Sequence, residues 1–107
     1  MHTTYRGAEQ LASVPRGLAR YHRTFHLLGQ AELRAEGSTG EGVVHCIAHH
    51  LEREQDGWWD RVLLIRYSDR YTSDSDSERR WRIADRLVHV DWVERRGAVA
   101  PTDPGVR

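Results

Sequence analysis

Two hydrophobic periods divide the chain. From Gly7 to about Ala19 the apolar residues Ala8, Leu11, Ala12, Leu18 and Ala19 recur at the spacing of one helix face. Pro15 restricts Val14 and Gly17 follows, so the pattern predicts one short helix of roughly ten to fourteen residues, kinked or broken near Pro15. After Arg20 the period falls to two. Tyr21, Phe25, Leu27, Ala31 and Leu33 alternate with His22, Thr24, His26, Gln30, Glu32 and Arg34, which predicts a long strand. The glycine-containing stretch Glu36-Gly37-Ser38-Thr39-Gly40 reads as a turn, and Gly42 to Leu51 as a second strand closing a hairpin. Glu54-Gln55-Asp56-Gly57 makes the next turn. Trp58 to Tyr71 then carries Val62, Leu63, Leu64 and Ile65 in succession, apolar on both faces, as a central strand requires. Thr72 to Ser77 reads as a polar hairpin loop and Arg80 to Val93 as a fourth strand. One domain over 1–96 follows, with a disordered tail over 97–107 that contains Pro101 and Pro104.

A short helix followed by long antiparallel strands is an α+β pattern. So small a helix cannot cover four long strands. The expected solution is a strongly curved antiparallel sheet folded over the helix and a ligand pocket, with its other face paired to a second subunit as a homodimer.

Composition narrows the function. At 107 residues the chain holds one core, which excludes a two-domain enzyme. Sixteen basic residues balance sixteen acidic ones, which argues against a protein that coats nucleic acid or an anionic membrane. No apolar run approaches the roughly 20 residues of a membrane span, the first residues lack the apolar core of a signal peptide, and the single cysteine, Cys46, cannot form an internal disulfide. A cytoplasmic location is expected. Every basic residue is arginine, so lysine Schiff-base chemistry is excluded.

Seven histidines invite a metal reading. His22 and His26, and His45 and His49, have the spacing of ligands on one helix face, but on strands the same spacing separates them by about 13 Å, too far to share a zinc ion. Convergence of His26 with His45, His49 or His50 across neighbouring strands stays open, but no metal is expected. Cys46 reads as a small buried hydrophobe. Tyr67, Asp69 and Tyr71 share one strand face. They suit either a polar end to an apolar pocket or a structural role, with Tyr71 against Trp81 and Asp69 paired to Arg66 or Arg70.

The order of the helix, Tyr21-His22-Arg23-Thr24-Phe25-His26-Leu27-Leu28-Gly29-Gln30, Cys46-Ile47-Ala48-His49-His50, Arg66-Tyr67-Ser68-Asp69-Arg70-Tyr71 and Trp81-Arg82-Ile83-Ala84-Asp85-Arg86 resembles the SnoaL-like branch of the NTF2-like superfamily over roughly residues 3 to 93. The resemblance implies a cone-shaped pocket wrapped by a curved sheet. Members include polyketide cyclases, dehydratases, a dehydrochlorinase and ketosteroid isomerases. By the same resemblance His26 stands where a strand histidine is the general base, and Arg86 where an arginine meets the leaving group. The family's orienting aspartate, on an N-terminal helical hairpin, has no counterpart here. A neutral imidazole suits proton removal near pH 7, and a guanidinium suits a developing anion. The expected function is thus a small-molecule pocket protein acting as a cofactor-independent lyase or isomerase on a hydrophobic cyclic substrate. His26 and Arg86 would be catalytic, with Tyr67, His50 and Asp91 binding substrate. The alternative is a non-catalytic homodimeric ligand-binding or interaction module, or a truncated paralogue.

Overall fold

A computed structural model describes residues 2–74 and 80–101. Its elements run β1 (His2–Arg6), α1 (Gly7–Ala12), α2 (Val14–Leu18), β2 (Arg23–Glu36), β3 (Thr39–Glu54), β4 (Gly57–Ser73) and β5 (Trp81–Ala98). All five strands form one antiparallel sheet in the order β1-β5-β4-β3-β2. The four long strands, the two tight hairpins and the central place of β4 are those the alternation predicts. Residues 37–38 and 55–56 are the two-residue connections, and Gly37 takes a positive φ of 62° that a side-chain-bearing residue adopts only under strain. The polar loop expected from Thr72 lies in part outside the described residues, as does the tail beyond Pro101. β5 continues to Ala98, because Gly97 and Ala98 pair with Trp59 and Trp58.

Two features depart from the alternation. His2–Arg6 is an edge strand registered on β5 from His89 to Asp85. Its His-Thr-Thr-Tyr-Arg sequence is too short and too polar to announce a strand, and only β5 makes it one. The predicted helix is two segments meeting at Ser13. Pro15 sits in the first turn of α2, where its missing N–H costs nothing.

Strand alternation and register divide the sheet into two faces. Val44, Cys46, Ala48 and His50 of β3 lie across from Tyr67, Ile65, Leu63 and Arg61 of β4, and these face the same way as Val88 and Val90 of β5. This is the core face, because Cys46, Ala48, Ile65 and Tyr67 are its buried cluster, with Val44, Leu63, Val88 and Val90 packed on it. Cys46 is buried as expected of a small hydrophobe. Small side chains at Cys46 and Ala48 let larger neighbours close over them.

The helices do not supply the cover expected of them. α1 packs against β1 and β5, and neither α1 nor α2 buries a residue. The sheet is correspondingly open and long, 52 × 31 × 23 Å with a radius of gyration of 16.7 Å. A compact domain of this length has about 13 Å. The architecture is therefore a mostly-strand, five-stranded antiparallel sheet with α1 packed against β1 and β5.

Gly42 is required by close approach. A Cβ there would run into Leu33 Cδ2 and would lie 3.1 Å from the Glu32 carbonyl oxygen and 3.3 Å from the Tyr71 ring. Gly42→Val is expected to destabilise the fold by about 1–3 kcal/mol, the cost of overpacking, read as a lowered midpoint in urea with an unchanged slope.

Candidate functional site

Arg86 and Asp69 are directly opposed across β5 and β4. The Asp69 side chain is fully buried, and Arg86 donates to both of its oxygens, from Nε and from Nη2, each at 2.8 Å. The Tyr71 hydroxyl donates to the same carboxylate at 2.9 Å. The Arg86 guanidinium also lies over the Tyr67 ring, 3.9 Å from its centroid. Asp69 beside it holds the Arg86 pKa above the ordinary guanidinium value. Burial first, then the neighbouring Cys46 thiol, pushes the Tyr67 phenol up to about 12. Burial and the Asp69 carboxylate push Tyr71 to about 12. Tyr67, Asp69 and Tyr71 do share one face, but Asp69 is held by Arg86 rather than by Arg66 or Arg70. Tyr71 pairs across the strands with Ile83, not Trp81.

The second core-face cluster is made of imidazoles. His50 is 4% exposed. Its Nδ1 lies 3.0 Å from the Arg61 carbonyl oxygen. A carbonyl only accepts, so Nδ1 carries the proton and Nε2 the lone pair. The His26 ring stands 5.6 Å from the His50 ring, edge to face, and the Tyr21 ring packs on His50 from 4.7 Å. Desolvation, and secondarily His50, hold the His26 pKa below its ordinary value, which keeps His26 neutral near pH 7. Convergence across neighbouring strands thus occurs between His26 and His50, whereas His45 and His49 face the other way.

His26 and Arg86 share the core face without meeting. His26 pairs with Ala48, and Arg86 reaches Gly42 through Asp69. Those β3 positions are six residues apart, about 20 Å along a strand, with two further strands between them laterally. Tyr67 belongs to the Arg86 cluster and His50 to the His26 cluster. Asp91 belongs to neither. β5 bulges between Val90 and Trp92, and Asp91 turns to the reverse face, where Arg66 Nε donates to its two oxygens at 3.0 and 2.9 Å. Arg66 lowers the Asp91 pKa from the usual carboxylate value.

The reverse face has its own chemistry. Arg34, Glu41, Arg70, Asp85 and Arg6 form a row of alternating charge across all five strands, bordering a trough of about 910 Å³. That mixture of charges suits cross-strand pairing better than an apolar ligand. One row group further along the sheet, Leu27, Ile47, Leu64 and Trp92 make an apolar line from β2 to β5. His49 Nδ1 lies 2.6 Å from Asp60 Oδ2 beside it. The sequence reading missed this pair, because its only trace is that His49 and Asp60 flank a two-residue turn at nearly equal distance. Among the described residues no cluster of three or more ligating side chains is arranged for a metal. No helix there is long and apolar enough to cross a membrane.

A family model described as a SnoaL-like domain matches residues 2–87. No curated protein and no solved structure matches the chain.

Asp69→Ala leaves the Arg86 charge without its counter-ion. Unfolding in urea is expected to show a loss of about 3 kcal/mol, the low end for a broken buried pair because Arg86 keeps some exposure. His26, followed by proton NMR, is expected to titrate below 6.5 and to move upward in His50→Gln. Its charged form is disfavoured in the fold, so the unfolded chain binds more protons. The His26 contribution to stability is therefore full above about pH 6.5 and is lost as pH falls through the lowered folded value.

Proposed function

The chain belongs to the SnoaL-like domain family, and we propose that it acts there as a small-molecule pocket protein that holds a hydrophobic ligand against the core face without turning it over. The observation that carries this reading is the capture of Arg86 by Asp69. An arginine whose Nε and Nη2 are given to a buried carboxylate has little left to offer a leaving group. Elimination needs base and anion stabiliser within reach of one substrate, and His26 stands six rows away. Leu28, Leu33 and Val93 are 63%, 65% and 48% exposed on the same face. They offer an apolar bed between the imidazole pair at one end and the Tyr71 and Tyr67 phenols at the other. No cofactor is needed for such binding.

A second reading keeps the chain an enzyme, a cofactor-independent lyase or isomerase in which His26 is the base. What favours it is the His26–His50 pair. Burial and His50 keep His26 unprotonated, and the Arg61 carbonyl fixes the tautomer of the neighbouring His50. In either case we place a second copy of the chain on the reverse face. The exposed line of Leu27, Ile47 and Trp92 is the surface a homodimer would cover.

Fluorescence titration with anilinonaphthalene sulfonate, paired with deuterium uptake into a panel of cyclic ketones in deuterium oxide, separates the readings. Saturable dye binding that weakens about tenfold in Leu28→Glu, with no uptake above buffer, is the expected result. Uptake that His26→Ala abolishes overturns the non-catalytic reading in favour of the enzyme. Absence of saturable binding overturns the pocket itself.

A further inference from the structure

We propose that His49, oriented by Asp60, is a reactive imidazole on the reverse face that accepts an acyl group from a small aromatic ester and passes it to water. The site is independent of any core-face ligand.

Five observations bring the chemistry together. His49 Nδ1 and Asp60 Oδ2 are 2.6 Å apart, and the carboxylate can only accept, so Nδ1 is the protonated nitrogen. The lone pair is left on Nε2, which has no protein partner among the described residues. His49 is 36% exposed, so a substrate reaches it, while Asp60 is 23% exposed and shielded. The other carboxylate oxygen, Oδ1, is buried with no donor among the described residues, so His49 is the hydrogen-bond donor that Asp60 has there. The Phe25 ring lies edge-on to the imidazole, 6.4 Å from it. Finally, a hollow of about 380 Å³ is lined by His49, Asp60, Phe25, Leu51, Arg23 and Ala98. It has an aromatic wall for an aryl group and, in Arg23, a cation in its lining for an oxyanion. Its Arg23 and Ala98 side points to the end of the sheet beyond the apolar line, at the margin of the surface a second copy would cover.

The step balances without any added oxidant or metal. Nε2 adds to the ester carbonyl carbon. The carbon–oxygen bond to the aryl group breaks, and its electron pair leaves as the phenolate. Asp60 stabilises the acylimidazolium through the Nδ1 proton. Water then adds to the acyl carbon, the carbon–nitrogen bond returns its pair to Nε2, and the released protons go to solvent and phenolate. The net reaction is ester plus water to acid plus phenol. His49 is the catalytic residue and Asp60 the positioning one.

The probe is p-nitrophenyl acetate, followed by release of p-nitrophenolate from the full chain. Activity above free imidazole is expected to fall by about tenfold or more in His49→Gln and comparably in Asp60→Asn, to return in part in Asp60→Glu, and to stay within about twofold of the parent in His45→Gln. Nitrogen NMR of the imidazole is expected to report Nδ1–H for His49 in the parent and a mixed tautomer in Asp60→Asn. A purely structural role for Asp60 would not move that signature in a folded variant. Activity in His49→Gln within about twofold of the parent, an equal loss in His45→Gln, or a mixed tautomer in the parent would each overturn the proposal. Circular dichroism of every variant identifies a loss caused by unfolding. If His49→Gln unfolds, the tautomer measurement on the parent alone decides.

Discussion

A carboxylate with no access to water has to be satisfied where it stands, and Asp69 is satisfied by three donors on two strands. Burying that charge is tolerable only because the Arg86 fork matches its geometry and the Tyr71 hydroxyl takes a remaining lone pair. A slip of β5 against β4 by one residue would turn Arg86 to the other face and leave the charge alone. The pair therefore pins the register of the two longest strands. From that register follow the placement of Val88 and Val90 on the core, the bulge that turns Asp91 away, and the pairing of Gly97 and Ala98 with the two tryptophans.

The same satisfaction that secures the sheet spends the chemistry of Arg86. An arginine on a pocket wall is useful to a reaction in proportion to the donors it leaves unused. Here Nε and Nη2 point at Asp69, and the flat face of the guanidinium is stacked on Tyr67. His26 has the opposite character. It is held neutral by partial burial and a neighbouring imidazole, with no carboxylate among the described residues to raise its basicity. The core face thus carries a fixed ion pair at one end and an uncharged proton acceptor at the other, with apolar side chains exposed between them. Such a surface suits binding a hydrophobic molecule with a polar group at each end.

Openness is the second consequence of the architecture. Helices of five and six residues cannot lay an apolar stripe across four strands, and α1 packs against β1 and β5 instead. Large apolar side chains are left uncovered on both faces, among them Leu28 and Leu33 on one and Phe25, Leu27 and Trp92 on the other. In water each face gains from an occupant, and the two differ in what they offer. One is interrupted by imidazoles and phenols. The other is a continuous apolar line bordered by paired charges.

Alternation by itself determined the four long strands, both tight turns and the central position of β4, because side-chain period is a local property and a doubly apolar run has only one comfortable place in a sheet. It also placed Tyr67, Asp69 and Tyr71 together, since positions two apart on one strand share a face in any register. The resemblance carried by the His26 and Arg86 segments agreed with the family the chain belongs to. Partners across strands were beyond reach of local pattern. Whether Asp69 meets Arg66, Arg70 or Arg86, whether His26 meets His50 or His49, and which way Asp91 points all depend on register and on a single bulge. The strand at His2–Arg6 was hidden for the same reason, as its backbone becomes a strand only when β5 is there to pair with it. Tertiary structure decided these because a hydrogen-bonded ladder joins residues that are remote along the chain. One residue of slip exchanges everything on one face for everything on the other.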